Sequence, residues 1–383
     1  MRAGQGIILI AITLLMIGVV MVNSAAMGVS SNTPVTFYDL LTSRTAKLAM
    51  AACVALFVGS RFSTQLLERS ICKVAIPIWL FIIAWLLLIA VYIPGIGHEV
   101  NSSNRWIAIG GLSFQPSEIA KWTVVITTAW WTALHWKMFQ FYWKGFFPPI
   151  FCIGLLSSII AIEDLGTGVL IGIVGSGILL AGGAKIWQFM TLLPAVCIGF
   201  TGFIMLNPYR LARMTAYMNP FNNPDSIGYH ILQSMHTISA GGFSGLGLGN
   251  GIYKFGYLPE DTTDFIFAVI CEELGMLGAL TIVLLYLGLI TLGINVIKNT
   301  SQMIKKLFIL GVLLTIGLQA SMNILVVTAL IPTKGIALPL LSSGGTGWIL
   351  TAFCIGLIEA IDKQNDMKLI DIDYADNNAA EYA

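Results

Sequence analysis

The densest run of reactive side chains is Leu258-Pro-Glu-Asp-Thr-Thr-Asp-Phe-Ile-Phe267, introduced by Tyr257 and continued to Cys271-Glu-Glu-Leu-Gly275. Pro259 suits the turn before a helix. Thr262 or Thr263 can cap that helix. Asp264 then falls in the first turn, at the mouth of an apolar segment. One role for it is charge complement to the positive helix end. The other is a carboxylate held at a water–lipid boundary. Ionised near neutral pH unless strongly desolvated, it can take a proton as a general base. Glu272 lies about 12 Å further along a helix, so the two do not form a paired-carboxylate site. Glu272 reads as an internal hydrogen-bond partner for another helix. Glu273 points away from Asp264.

The cations that could serve such a base are Arg105, Lys121, Arg210, Arg213 and Lys334, all beside apolar or aromatic residues. Arginine grips phosphate with two parallel N–H groups, and lysine acts as a point charge. A single cation of this kind is a snorkelling anchor. Several beside one acidic motif suggest a ligand with a phosphate or diphosphate group. The glycines at 241, 242, 245, 247, 249 and 251 lack the Gly-Lys-Ser/Thr ending of a phosphate loop. They read as backbone that approaches a ligand or another loop closely. Cysteines sit in apolar stretches without metal spacing, and His230 and His236 do not share a helix face. No dedicated metal motif is visible.

The elements that hold these groups are set by composition. Of 383 residues, 57% are hydrophobic and 10% charged, with a net charge of +1. A soluble chain carries about 25% charged residues. These values exclude an ordinary cytosolic enzyme and a basic nucleic-acid binder, and predict an all-α polytopic membrane protein. A span needs about 20 apolar residues. Ten runs qualify: 5–26, 45–62, 75–94, 117–136, 146–162, 166–182, 187–206, 264–293, 306–331 and 346–361. With the N-terminus in the cytoplasm, the larger share of Lys and Arg falls on the inner side, Arg69 and Lys73 included, as the positive-inside rule requires. Both termini are then cytoplasmic, and the motif residues cluster on the outer side. Residues 1–361 read as one membrane domain. The polar stretch 362–383 reads as a short disordered tail, and Glu359 as a residue reaching inner-side water.

Outside the spans, segments 95–121 and 207–263 stand out. The second is long for a loop, yet apolar throughout, so it should be ordered against the membrane face. Within it, apolar residues at 231, 232, 235 and 238 have the spacing of a half-buried helix. Small residues in 166–177 predict close helix packing. The segment Ile331–Gly347, broken by two prolines and four glycines, predicts irregular backbone buried in protein near the outer face.

Together these motifs resemble the SEDS family (shape, elongation, division and sporulation), the FtsW/RodA/SpoVE group. Four blocks carry the resemblance over nearly the whole chain. They are Arg105-Trp106-Ile with Phe114-Gln-Pro-Ser-Glu-Ile-Ala-Lys121; Asp164-Leu-Gly-Thr167; Gly228-Tyr229 through Gln233-Ser234 and the glycine run to Asp264 and Glu272-Glu273; and Pro332-Thr-Lys-Gly335 with Leu338-Pro339, Ser342 and Gly344-Gly345. The chain departs from the family pattern at Glu163 (usually Pro), Thr262 (often His), Leu340, Ser343 and Thr346-Gly347. Pro-Thr-Lys-Gly looks more like the FtsW branch than the RodA branch.

The resemblance implies a peptidoglycan glycosyltransferase acting on lipid II at the outer face of the cytoplasmic membrane, in division or elongation. Asp264 is the implied catalytic residue. Arg105, Lys121, Arg210, Arg213, Lys334, Glu118, Gln115 and Ser342 are the implied substrate contacts. Asp164, Glu272, Glu273 and Trp106 are the implied support. A divalent cation, Mg or Mn, could share the charge of the leaving group. The implied partners are a class B penicillin-binding transpeptidase, other division or elongation proteins and membrane lipid, with no nucleic acid. The rival is a lipid II flippase or another lipid-linked transporter. It accounts for the spans, and less well for motifs gathered on one side.

Overall fold

A computed structural model describes residues 2–26, 42–64, 70–71, 74–100, 103–109, 112–222, 228–254 and 258–381. Arg69, Lys73 and Tyr257 lie outside these residues. Each apolar run coincides with a helix: α1 Ala3–Ala25, α2 Arg44–Arg61, α3 Ile76–Ala90, α4 Pro116–His135, α5 Phe147–Glu163, α6 Leu165–Ala181, α7 Ile186–Met205, α10 Ile266–Asn299, α11 Met303–Val327 and α12 Thr346–Glu381. Two more, α8 Pro208–Met218 and α9 Tyr229–Gly241, lie in the long segment before α10. Local chemistry sets several helix starts. Ser43 accepts from the Ala46 amide, and Asp164 caps α6 by accepting from the Thr167 amide at 3.1 Å. Proline stands in the first turn of α3, α4 and α5.

Among the described residues, five helices are long and apolar enough to cross a membrane, and α3 and α6 are shorter apolar helices. Apolar side chains on α7 such as Ile198 and Met190 are exposed, and Gln188 is its only buried residue. That is the pattern of a surface wetted by lipid. The centre is made by α1, α10, α11 and α12, with α2, α4 and α6 packed around them. In α6, Gly168 and Gly175 lie directly against Ser157, Ala161 and Ile153 of α5, so the small residues serve close packing as expected. The amide of Gly4 donates to Asp362 at 2.8 Å, and Arg2 faces Glu359 and Asp366 at 3.7 Å. The start of α1 and the middle of α12 therefore lie together. Glu359 is buried against Arg2 rather than reaching water.

Several local expectations change. Segment 95–121 holds a three-stranded antiparallel sheet, β3 Gly97–Val100, β4 Ser103–Ile109 and β5 Leu112–Phe114, and a two-residue pair, β1 Ser70–Ile71 and β2 Val74–Ala75, precedes α3. These are the only strands among the described residues, so the fold remains helical. On α9 the buried face is Ile231, Ser234, Thr237 and Gly241, with Met235 half exposed. Ser234 donates to the Val327 carbonyl at 2.7 Å. Small and hydroxyl residues let α9 approach its neighbours closely, and the bulkier Met235 turns outward. The tail also differs. α12 continues as helix to Glu381, because nothing between 362 and 381 breaks it: the stretch has no proline or glycine.

The eighth run, read as one span, is broken. Gly275 has φ 67° and ψ −165° inside α10. The loop of glycines covers the break. Leu246 and Gly247 amides donate to the Glu272 and Glu273 carbonyls at 2.9 Å, and the Met276 amide donates to Gly242 at 3.1 Å. A Cβ on Gly245 would collide with the Glu273 carbonyl. The expected close approach of this loop is thus to the helix break. The segment 331–347 dips into the protein as expected. Leu338, Leu340 and Leu341 are buried, and Tyr286 of α10 donates to the Pro339 carbonyl.

Candidate active site

The turn Leu258–Phe265 precedes α10 and carries Asp264. The helix begins at Ile266, two residues later than the capping chemistry suggested. Phe265 is the N-cap, with no side-chain cap, and the Thr263 hydroxyl bonds to Glu260 instead. The backbone of the turn is fixed from two sides. Asn323 of α11 donates to both the Asp264 and Ile336 carbonyls at 2.7 Å, and the Ser343 amide donates to Thr262 at 2.9 Å. Gly335 lies against the carboxylate, where a Cβ would stand 3.0 Å from Oδ2.

Among the described residues no hydrogen bond reaches the Asp264 carboxylate. Burial, with Glu260 and Asp164 nearby, pushes its pKa up to about 7, against the pull of Arg105 and Arg213. Arg105 extends from β4, lies 4.0 Å from Asp164 and donates to the Glu163 carbonyl. Arg213 extends from α8 and donates to the Thr333 carbonyl at 3.4 Å. Lys334 is held near Asp164, while burial lowers its pKa. Arg105, Arg213 and Asp164 are therefore brought together around Asp264, with Lys334 beside Asp164, from four separated stretches of chain. The set can accept a proton at one oxygen while stabilising negative charge that develops beside it.

The other expected contacts stand elsewhere. Lys121 is 2% exposed, paired to Glu118 at 2.9 Å and bonded to Gln319 at 3.0 Å. Gln319 in turn holds the Ala337 carbonyl. This trio is a brace beneath the 331–347 loop, and a Cβ on Gly347 would touch Glu118. Arg210 caps the end of α5 through the Ile162 carbonyl at 2.6 Å and lies over the Phe203 ring at 3.7 Å. Ser342 is fully buried and accepts from the Leu338 amide at 2.7 Å, so it shapes the loop rather than a ligand surface. Gln115 precedes α4 and approaches Thr346 only through its amide, at 3.5 Å, while Trp106 sits on β4 opposite His98.

Glu272 holds a loop, not a helix: it accepts from the Ile252 and Tyr253 amides at 2.6 and 3.2 Å. Glu273 forms a fully buried pair with Lys254 at 2.8 Å, joined by the Ser24 hydroxyl of α1. Lys254, Glu260, Gln319 and Asn323 are structural or site residues that the motif search passed over. Asn323 and Gln319 carried a signal, being amide side chains within an apolar run, where polar groups need partners. His230, set aside as scattered, stacks on Phe265 with ring centroids 6.0 Å apart. Among the described residues no group of three or more His, Cys, Asp or Glu side chains could hold a metal ion.

A helical membrane protein with several spanning-length helices, whose desolvated carboxylate sits among fixed cations at one end of the bundle, is the class that fold and site define. A family model for the cell cycle protein family of FtsW, RodA and SpoVE matches residues 5–367, and the chain belongs to that family. It is 34% identical over 362 residues to a probable peptidoglycan glycosyltransferase FtsW of Coxiella burnetii, covering 92% of this chain and 94% of that one. It is 38% identical over 282 residues to stage V sporulation protein E of Bacillus subtilis, covering 73% and 76%. Among solved structures, a chain from work described as structural coordination of polymerization and crosslinking by a peptidoglycan synthase complex shares the fold. Its TM-score is 0.74 at 20% identity, covering 94% of this chain and 98% of that one. The crystal structure of the rod shape determining protein RodA of Thermus thermophilus gives a TM-score of 0.64 at 21% identity, covering 94% and 96%.

Proposed function

We propose that this chain is a peptidoglycan glycosyltransferase that polymerises lipid II at the outer face of the cytoplasmic membrane. The observation that carries the reading is Asp264: a half-buried carboxylate with a pKa near 7, close to Arg105 and Arg213, with Lys334 beside the neighbouring Asp164. A general base works best when its pKa lies close to the operating pH. Asp264 takes the proton from the C4 hydroxyl of the acceptor sugar. That oxygen attacks C1 of the donor sugar as the bond from C1 to the diphosphate oxygen breaks. Undecaprenyl diphosphate leaves with the bonding electrons, and one inverting displacement yields a β-1,4 link. The three cations meet the charge that grows on the leaving group. A divalent cation arriving with the diphosphate would share that task.

Relatives named as probable peptidoglycan glycosyltransferases support the activity. The inner-side excess of Lys and Arg supports cytoplasmic termini, with the Asp264 end facing outward. We assign a ten-span plan on the same basis, and a class B penicillin-binding transpeptidase as partner by analogy with the synthase complex of shared fold. The test is polymerisation of lipid II by purified protein in liposomes with its transpeptidase partner. Long glycan chains from the native protein, and none from Asp264→Ala or Asp264→Asn, are expected. Equal product from all three would end the assignment of Asp264.

A further inference from the structure

An amide side chain inside an apolar helix needs an account, because a polar group at membrane depth is costly unless it is paired. Asn323 stands in α11 and is fully buried. Its Nδ2 donates to the Asp264 carbonyl and to the Ile336 carbonyl, each at 2.7 Å. Its Oδ1 is buried without a hydrogen-bond partner. The two carbonyls fix the direction of the amide, since a flipped group would set oxygen against oxygen.

The bond to Asp264 accounts for where α10 begins. In a helix entered one residue earlier, the Ala268 amide would donate to the Asp264 carbonyl, four residues before it. Here it donates to the Phe265 carbonyl at 2.9 Å, the tighter bond that spans three residues, and the Val269 amide turns to the same carbonyl at 3.4 Å. The Asp264 carbonyl is given to α11 instead. Phe265, at φ −107° and ψ 16°, is where the chain enters the helix. Asp264 thereby stays in the turn, where Gly335 lies against its Oδ2. The second bond of Asn323 goes to Ile336, which follows Gly335 directly. One amide thus fixes both the backbone that carries the carboxylate and the wall on which it rests.

We infer that Asn323 is a positioning residue for the reaction: by withholding the Asp264 carbonyl from α10 it keeps Asp264 in the turn, with its carboxylate free of the helix amides and open to the acceptor hydroxyl. The inference rests on the reading of Asp264 as the general base and names what aims it. Without the amide, the Asp264 carbonyl is free to accept from Ala268. Asp264 then becomes the N-cap, and an aspartate there turns its carboxylate onto the amides of the first turn. A carboxylate held in that way is a weaker base, because the amides favour its charged form. Asn323 itself touches no reacting atom.

The experiment compares native protein with Asn323→Leu, which lacks the donor, Asn323→Gln, which keeps the amide, and Gln319→Leu. Gln319 stands one turn earlier on α11 and holds the Ala337 carbonyl of the same loop, but not Asp264. Lipid II polymerisation is followed against pH in liposomes, with Asp264→Asn as the reference. For Asn323→Leu, kcat is expected to fall about 10²-fold, the cost of misplacing a reacting group by about 1 Å, with KM little changed. The half-maximal point of kcat/KM, near pH 7 in the native protein, should move to lower pH by about one unit. Asn323→Gln should recover part of the rate. Gln319→Leu should lower the melting temperature and leave the pH midpoint in place. Native kcat and midpoint in folded Asn323→Leu would overturn the inference. So would the same midpoint shift in Gln319→Leu, because a loosened loop would then suffice. A structure of Asn323→Leu by electron cryo-microscopy needs no turnover. It is expected to show the Ala268 amide on the Asp264 carbonyl and the carboxylate moved off Gly335, and an unchanged turn would sink the inference. If Asn323→Leu does not fold, Asn323→Ser, whose single donor cannot serve both carbonyls, takes its place in each arm. Activity retained by Asp264→Asn would instead end the reading of Asp264 as the base, and the structural arm would still decide what Asn323 does.

Discussion

Two carboxylates near the start of α10 meet opposite fates. Glu273 is wholly buried and wholly matched, with Lys254 and the Ser24 hydroxyl on its oxygens. Asp264 is half-buried, no hydrogen bond among the described residues reaches its carboxylate, and the cations around it are spent partly on Asp164 and on main-chain carbonyls. The first arrangement fixes structure. The second leaves a group that holds a proton more tightly than an ordinary aspartate, and so can carry one during a reaction. Burial alone therefore does not mark a catalytic acid or base. Burial with incomplete pairing does.

The contrast is most severely tested by removing each carboxylate. Asp264→Asn should cost at least 10²–10⁴ in the rate of lipid II polymerisation. It should melt no earlier than the native protein at pH 8, since the variant no longer buries an ionised group. Lys254→Ala should do the reverse, leaving Glu273 charged and unpaired at a cost of about 3–5 kcal/mol, read as a fall in melting temperature in detergent. If Lys254→Ala melts normally, the pair is not the structural element described. A pH profile sharpens the difference. Asp264 must be deprotonated to act, and its folded pKa near 7 lies above the ordinary value. kcat/KM should therefore rise about tenfold per unit up to pH 7 and level off above it. A profile flat from pH 5 to 8 would mean that another group takes the proton. The smallest effect is expected from Gly335→Ala. Its methyl group would press on Oδ2 and displace the carboxylate by a few tenths of an ångström. A rate loss of about tenfold with little change in melting temperature is expected, given how steeply rate depends on alignment.

Much of this was legible beforehand, because hydropathy reports directly on lipid contact. Each apolar run became a helix. Asp264 also stood out, as an acid beside an apolar run in a chain with few charges. Other features leave no such trace. A φ of 67° at Gly275 does not alter hydropathy, so the run looked continuous, and only the glycines of the 241–251 loop hinted at a close approach. The five cations looked equivalent because residue type says nothing of burial. The structure separates Arg105, Arg213 and Lys334 at the site from Lys121 under the loop and Arg210 on the α5 terminus. Ser342 resembled a ligand hydroxyl until its bond to the Leu338 amide was seen. The Lys254–Glu273 pair joins a loop to a helix and a third element, which no periodicity encodes.

The break at Gly275 also has a mechanical meaning. From Phe265 to Glu273 every residue is buried in protein, whereas Met276, Leu277 and Leu280 beyond the break are exposed on the apolar surface. The part of α10 before Gly275 is thus anchored inside the bundle, and the part beyond it carries the face exposed to the bilayer. Where the membrane thins or thickens, tilting that relieves the mismatch falls on the segment beyond Gly275. The Asp264 carboxylate is in this way insulated from hydrophobic mismatch, and its alignment can stay constant while the surrounding lipid changes.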